Sequence, residues 1–254
     1  MPYNRRGMFS LSHVSKTFGD TRVLDDVSLS FAPGRTTALI GPSGCGKSTM
    51  LRLLLGLAAP DSGRISFGGA PITADGLQAL RQRVGYVVQR GGLFPHMTAR
   101  ENVTLVARHL RRPAAQIHAR VEELRRLTRF PPDGLDRYPN ELSGGQNQRV
   151  GLMRALMLDP DALLLDEPLG ALDPMIRYEL QQELRDVFAS LNKTVILVTH
   201  DLAEAADLAH TMVLLHAGTV ALTGDLEALL AAPPSSFAHR FVRAQRSHLQ
   251  GLVG

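Results

Sequence analysis

Apolar residues recur along this chain with two periods, and the points where one gives way to the other outline the fold. Near the N-terminus the alternation is strand-like over residues 8–12, 27–31 and 64–67, broken by Gly19-Asp20, Pro33-Gly34 and Asp61-Ser62-Gly63. Short period-two segments between turn formers predict a small antiparallel sheet. Thr37-Ala38-Leu39-Ile40 is a continuous apolar run that predicts a buried strand, and residues 84–88 predict another, ending at Gln89. The period then lengthens. Val103, Val106 and Leu110, followed by Ile117, Val121 and Leu124, recur at helical spacing with Arg and Glu between them, punctuated by Pro113 and Pro131-Pro132. A further helix is expected over residues 145–157.

Beyond it, strand and helix alternate again. Residues 162–166 and 194–199 are β-rich apolar runs, and between them Ile176, Leu180, Leu184, Val187 and Leu191 line one face of a helix. Residues 211–215 and 219–222 predict a hairpin around Ala217-Gly218, and the tail from Asp225 is helical with a break at Pro233-Pro234. Buried strands alternating with helices argue for an α/β core interrupted by a helical insert. The expected organisation is one domain over 8–244: a core of about 8–89 and 159–224, a helical subdomain of about 90–158, and a helical tail over 225–254.

Composition narrows the class. Of 254 residues, 44% are hydrophobic and 20% charged, which is globular rather than disordered. Lys+Arg 28 against Asp+Glu 24 leaves a net charge of only +4, too little for a strong positive field. Much of the excess sits in residues 100–129, where eight Arg face three Glu. No aromatic interleaves before Phe130, so a solvated helix face or a surface toward membrane partners is favoured over a nucleic-acid patch. Cys45 is the one cysteine, so no disulfide staples the fold and a reducing compartment is expected. Arg5 and Arg6 precede no apolar stretch of signal-peptide length, and runs such as residues 53–59 are too short to span a bilayer. The expectation is a soluble chain that reaches any membrane through a partner.

The chemistry is concentrated in a few places. Gly41-Pro42-Ser43-Gly44-Cys45-Gly46-Lys47-Ser48-Thr49 fits the phosphate-loop pattern G-x-x-x-x-G-K-[ST], with a strand before it and a helical pattern after it. Glycines let successive backbone N–H groups turn onto an anion, and the helix adds its positive end. Lys47 would reach the β- and γ-phosphates, Ser48 would ligate Mg²⁺, and Thr49 is placed to touch the α-phosphate. Cys45 within it reads as a small filler. Leu163-Leu164-Leu165-Asp166-Glu167 ends a buried strand in two carboxylates. Either acid alone could be an ordinary polar strand end. Together, in a chain with a phosphate loop, Asp166 is positioned for Mg²⁺ and Glu167 to polarise a water. Leu142-Ser143-Gly144-Gly145-Gln146 is a helix N-cap sequence and equally an anion site.

With Gln89, Ala171-Leu172-Asp173 and His200 added in their order, this set resembles the nucleotide-binding subunit of ABC transporters, from about Phe9 to near Val242. Residues 41–49 look like Walker A, Gln89 like the Q-loop, 142–146 like the signature sequence, and 162–167 like Walker B with its catalytic Glu. Residues 171–173 look like the D-loop and His200 like the switch histidine. The resemblance implies a P-loop NTPase (RecA-like) α/β core with an antiparallel β-subdomain and an inserted α-helical subdomain. It implies ATP and Mg²⁺ as cofactors and ATP hydrolysis by Glu167, with Gln89 and His200 sensing the γ-phosphate. Nucleotide contacts fall to Phe18, stacking on adenine, to Gly41, Pro42, Ser43, Gly44, Cys45, Gly46, Lys47, Ser48 and Thr49, and to Ser143, Gly144, Gly145, Gln146 and Asp173. The metal falls to Ser48, Gln89 and Asp166. A lone Phe at position 18 would otherwise be core, and a lone His at 200 an ordinary strand-end residue. Two copies, a homodimer, would pair head to tail, each ATP lying between one copy's phosphate loop and the other's Ser143-Gly144-Gly145.

Within that family, residues 92–98, 101–103, 169–177 and 180–184 look most like importer ATPases serving glycine betaine, choline or other osmoprotectants. The implied partners are integral membrane permease subunits, touching Leu93, Phe94 and Met97, and indirectly a solute-binding protein, with no nucleic acid. The implied place is the cytoplasmic face of a bacterial inner membrane. Asn147 and Arg90 stand where these relatives often have glutamine. Many of them continue into paired CBS domains, which are not expected here because the sequence ends at Gly254. The alternatives are a soluble ABC ATPase outside transport, or the ATPase of an exporter or lipid transporter.

Overall fold

The computed structural model describes residues 7–89, 92–170 and 172–250, with backbone only for 246–250. Arg5, Arg6, Arg90, Ala171 and Gly254, which entered the reading above, lie outside the described residues. In chain order the elements are β1 (Phe9–Phe18), β2 (Thr21–Phe31), β3 (Thr36–Ile40), α1 (Lys47–Leu54), β4 (Ser62–Phe67), β5 (Ala70–Pro71), α2 (Leu77–Arg83), β6 (Val84–Val87), α3 (Ala99–His109), α4 (Ala114–Leu127), α5 (Gly144–Leu156), β7 (Ala162–Asp166), α6 (Pro174–Leu191), β8 (Thr194–Val198), α7 (Leu202–Leu208), β9 (Thr211–His216), β10 (Thr219–Gly224), α8 (Leu226–Leu230) and α9 (Phe237–Gln250). The chain divides into two compact units, residues 1–80 with 194–254, and residues 81–193.

The first unit carries an antiparallel sheet in the order β2-β1-β4-β5. Its register sets Phe9 opposite both Phe31 and Phe67, so aromatic rings from three strands share one face, and the Phe9 and Phe67 rings lie 4.8 Å apart. β1 and β2 run longer than the sequence periodicity predicts. Register shifts after Leu11 and Val14 change which residues face inward, so strict alternation stops while pairing continues. Beside this sheet in the same unit, β3 lies between β8 and β9, parallel to both, and β10 turns back on β9. All five residues of β3 and of β8 are buried, which is why both read as continuous apolar runs. Ile40, Leu202, Ala205, Met212, Leu214, Leu229 and Phe241 form one core beneath this sheet.

The second unit holds the parallel pair β6 and β7 and the helices from α3 to α6. Contacts of α3 with α4 and α5, and of α5 with α6, organise it around Val103, Val121, Leu124, Phe130, Val150 and Met153, each 1% exposed or less. Segment 94–98 is fixed by Asn102, which is wholly buried. Its Oδ1 accepts from Phe94 N at 2.8 Å, and its Nδ2 lies 3.0–3.1 Å from the carbonyls of Phe94, Met97 and Thr98. Among the described residues no helix is long and apolar enough to cross a membrane.

Replacing Asn102 would remove the side-chain partner of Phe94 N and of the Met97 carbonyl, and one of two partners of the Phe94 and Thr98 carbonyls. Asn102→Ala is expected to destabilise the protein by about 3 kcal/mol, measured as a lowered urea midpoint, with β-sheet circular dichroism retained.

Candidate functional site

In the first unit, residues 41–46 carry the chain from the end of β3 into α1. Gly46, the residue before α1, has φ 108°, a conformation that side chains disfavour. A Cβ there would lie 2.7 Å from Leu24 Cδ2 and 2.9 Å from the Val23 carbonyl oxygen. Glycine is required on both counts. The first turn of α1 has neither a side-chain cap nor an acid, so its N–H groups and positive end are offered to an anion. Lys47 is only 6% exposed and folds back over the loop, its Nζ donating to the Gly41 and Pro42 carbonyls at 2.7 and 2.9 Å. Pro42, Ser43, Gly44 and Ser48 are exposed, Thr49 is half-buried, and Cys45 is buried with its Sγ 3.8 Å from Lys47 Nζ.

Phe18 sits at the end of β1 and is 47% exposed, so it is not the core residue that a lone Phe usually is. Its position is supported from below. Lys16 Nζ lies 5.2 Å from the ring centroid and donates to Asp61 Oδ1 at 2.7 Å, while Thr17 N donates to Asp61 Oδ2 at 2.6 Å. The Lys16 hydrogen bond, then the Thr17 N–H, hold the Asp61 carboxyl below its ordinary pKa. Sequence reading missed this strap because Asp61 looks like an ordinary turn residue. His200 follows β8 and is exposed; its carbonyl accepts from Gln245 Nε2 at 3.1 Å, and Asp201 beside it caps α7.

In the second unit, β7 ends at the half-buried Asp166, and Glu167 follows with φ 47°. A non-glycine residue in this left-handed region stores about 1–3 kcal/mol of strain. Glu167 Oε2 accepts from Gln89 Nε2 at 2.8 Å, bringing together two residues 78 positions apart in the chain. Ser143 caps α5 by a reciprocal pair: its Oγ accepts from Gln146 N at 3.2 Å, and Gln146 Oε1 accepts from Ser143 N at 2.9 Å. Ser143 and Gly144 are exposed, whereas Gly145 is buried against α6, where a Cβ would meet Ile176 Cγ2 at 2.9 Å. Asp173 is exposed and caps α6, accepting from Met175 N and Ile176 N at 3.2 and 3.1 Å.

Two further residues support the Ser143 turn, and their roles there carried no sequence signal. Asn147 Nδ2 donates to the Pro139 and Leu142 carbonyls at 2.9 and 3.3 Å, clamping the 3-10 turn Pro139–Glu141 that precedes Ser143. Arg149 makes a two-pronged ion pair with Glu183 of α6 at 2.8 and 2.7 Å, which anchors α5 in a largely buried place.

Each unit holds a residue expected to take magnesium. Ser48 offers a hydroxyl at the start of α1 and Asp166 a carboxylate at the end of β7. Among the described residues, no cluster of three or more His, Cys, Asp or Glu could hold a metal unaided. Ser48 and Asp166 each bring a hard oxygen donor of the kind Mg²⁺ takes alongside water.

The sequence profile described as ABC transporter matches residues 24–170. The glycine betaine/carnitine/choline transport ATP-binding protein OpuCA of Bacillus subtilis is 42% identical over 94% of this chain and 63% of its own length. The glycine betaine uptake system ATP-binding protein YehX of Escherichia coli is 43% identical over 92% of this chain and 76% of its own. A sulfate/thiosulfate import ATP-binding protein, CysA 2 of Agrobacterium fabrum, is 46% identical over 91% and 68%. Among solved structures, the dimeric ATP-binding cassette MJ0796 in a post-hydrolysis state with ADP and Pi superposes with a TM-score of 0.77 at 32% identity, covering 86% of this chain and 99% of that one. CbiO1 of Clostridium perfringens, part of an ABC transporter complex, gives 0.82 at 28% identity, covering 98% and 99%. The chain therefore belongs to the ABC transporter family and has the fold of its ATP-binding cassettes, a P-loop α/β core. It spans about 63% of the length of OpuCA.

Asp61 gives a test of the strap beneath Phe18. Because its folded pKa is depressed, its contribution to stability is full above the ordinary carboxylate value of 3.8 and is lost as pH falls through the lower folded value. Asp61→Asn should therefore melt below the native protein at neutral pH, with the gap closing below about pH 4, as read by calorimetry across that range.

Proposed function

We propose that this chain binds and hydrolyses ATP with Mg²⁺ as one of two paired copies that energise uptake of a solute through membrane permease subunits. The observation that carries this reading is that the chain offers two helix starts suited to phosphate. One is α1, uncapped behind a glycine loop with Lys47 folded over it. The other is α5, led by exposed Ser143 and Gly144. A triphosphate held between the α1 start of one copy and the α5 start of another uses both. That arrangement gives Ser143 a purpose beyond capping its own helix.

In this reading Lys47 exchanges its two carbonyl partners for phosphate oxygens, and the N–H groups of residues 43–48 cradle the β-phosphate. Phe18 stacks on the adenine ring, with Lys16 and Asp61 holding it in place. Magnesium, held by Ser48, Asp166 and Gln89, would neutralise charge on the β- and γ-phosphates. Glu167 accepts a hydrogen bond from the attacking water and orients it in line, and Gln89 keeps the Glu167 side chain turned toward that task. His200 contacts the γ-phosphate. Ser143, Gly144, Gly145, Gln146 and Asp173 close the site from the mate, so that hydrolysis releases the pair.

The paired ATPases work at the cytoplasmic face of the membrane, the permease docking on Leu93, Phe94 and Met97 and a solute-binding protein supplying the cargo. The names of OpuCA and YehX support a quaternary-amine osmoprotectant such as glycine betaine or choline. A second reading, import of a sulfate-like oxyanion, is favoured by the 46% identity to CysA 2. Copurifying the complex and titrating its solute-binding protein with betaine, choline and sulfate separates the two. Recovery of nucleic acid in place of membrane subunits would overturn both.

Glu167→Gln keeps the size and the Gln89 neighbour but removes the carboxylate. Its ATP turnover should fall by about a hundredfold or more, and light scattering should find an ATP-bound dimer that the native protein forms only transiently. Native-like turnover, or a variant that stays monomeric with ATP, would refute the reading.

A further inference from the structure

Within the first unit, His200 and residues 41–46 leave neighbouring parallel strands at the same end. β3 and β8 pair with Leu39 opposite Val198, and Thr199 N donates to the Leu39 carbonyl at 3.2 Å, which carries the pairing up to the residue before His200. The flanks of His200 are fixed locally. Thr199 Oγ1 donates to the buried Glu204 at 2.7 Å and accepts from Asp201 N at 3.0 Å, and Asp201 caps α7. The carbonyl of His200 itself is held from a distant part of the chain, where Gln245 Nε2 of α9 donates to it at 3.1 Å. The pattern of α9 shows how that contact is built in. Phe237, Ala238, Phe241 and Val242 pack on the core beneath the sheet, and the Phe237 ring stacks on His216 of β9 with centroids 3.7 Å apart. Gln245 follows Phe241 by four residues and Val242 by three, so it lies on this same face. Arg240, Arg243 and Ala244, on the rest of the helix, are exposed. An amide on an apolar face is costly to desolvate unless it finds a partner. Gln245, half-buried, finds the His200 carbonyl.

We propose, resting on the reading of His200 as a γ-phosphate contact, that Gln245 is a positioning residue for it. By donating to the His200 carbonyl, Gln245 fixes the peptide from which the imidazole projects and holds the imidazole toward the phosphate end of the loop. A side chain that must meet a phosphate oxygen within about 0.5 Å of its productive place gains from a backbone that cannot rotate. Here the restraint is shared: β3 holds Thr199, α7 holds Asp201, and α9 holds the carbonyl between them. The tail helix is therefore part of the ATPase machinery as well as cover for the sheet.

Gln245→Leu removes the donor and leaves the docking face of α9 apolar. Its kcat for ATP should fall about five- to tenfold, with KM for ATP and melting temperature unchanged. Gln245→Lys, which restores a donor of similar reach, should recover most of the rate. His200-Asp201 is the one His-Asp step in the sequence, so a chain labelled with carbonyl-¹³C histidine and ¹⁵N aspartate gives a single amide–carbonyl correlation that reports on this carbonyl. The correlation should move in Gln245→Leu and return toward its native place in Gln245→Lys. A native kcat in Gln245→Leu, a correlation that stays put, or a Lys variant as slow as the Leu one overturns the proposal. Should Gln245→Leu not fold, Gln245→Glu, a near-isostere without a donor at neutral pH, faces the same outcomes. His200→Ala separates the proposal from the reading beneath it. Full turnover in that variant sinks the role of His200, whereas its inactivity beside an undiminished Gln245→Leu sinks that of Gln245 alone.

Discussion

The structure is organised by a demand that residues 41–46 place on their surroundings: a backbone turned to offer N–H groups to an anion beside a buried cation. Lys47 is 6% exposed, and an ammonium in that position is tolerable only with oxygen partners close by. The loop provides them from its own carbonyls. A phosphate oxygen is an acceptor of the same kind and, being charged, a stronger one, so the geometry that stabilises the loop also suits an anion. The requirement then propagates outward. Gly46 must stay free of a side chain because Leu24 and Val23 press against it, and β3 must be rigid to present the loop. Rigidity comes from parallel neighbours on both edges of β3 and from the core formed with α7, α8 and α9.

The treatment of helix ends makes a second pattern. Thr98, Ser143, Asp173, Asp201 and Asp225 each accept a hydrogen bond from the first turn of the helix they lead, a contribution of about 1 kcal/mol apiece. α1 has no such cap and no first-turn acid. Its first turn therefore has no side chain of its own set against the N–H groups as a cap, and an anion bound at that end would add stability. Ser143 stands between these cases. It caps α5 while remaining exposed, so its hydroxyl still has a hydrogen to donate, and its neighbour Gly144 adds no bulk.

Features with a fixed local chemistry were legible in the sequence. β7 occupies the predicted residues 162–166, and β6 runs over Val84–Val87 where 84–88 is predicted. α5 begins at Gly144 rather than 145, because Ser143, not Gly144, takes the cap position. β1 shows the opposite case. Its apolar alternation suggests 8–12, but pairing with β2 and β4 carries it to Phe18 through register shifts that no local pattern encodes. The supporting shell was less legible still. Asn102, Asp61, Asn147 and Arg149 are ordinary polar residues in the sequence, and their roles arise from partners brought near by tertiary packing, such as Glu183 for Arg149, 34 positions away. Gln89 and Glu167 stood out through the order of motifs, yet the hydrogen bond between them depends on the parallel pairing of β6 with β7.

That pairing also explains why Glu167 is found in a left-handed conformation. β6 and β7 run parallel with Val87 opposite Leu165, so Gln89 and Glu167 both leave their strands just past the same end of the pair. An extended continuation would send the Glu167 side chain to alternate faces as an ordinary strand does. The reversal at φ 47°, closed by the Gly170 N–H on the Glu167 carbonyl at 3.2 Å, redirects it toward Gln89. The strain is held by β7, whose residues 162–165 are fully buried, and by Pro168 and Leu169, buried immediately after the turn. The backbone that carries this carboxylate cannot shift without unpacking its own strand. Its direction is thus set by the core, and the chemistry assigned to it inherits the rigidity of the sheet.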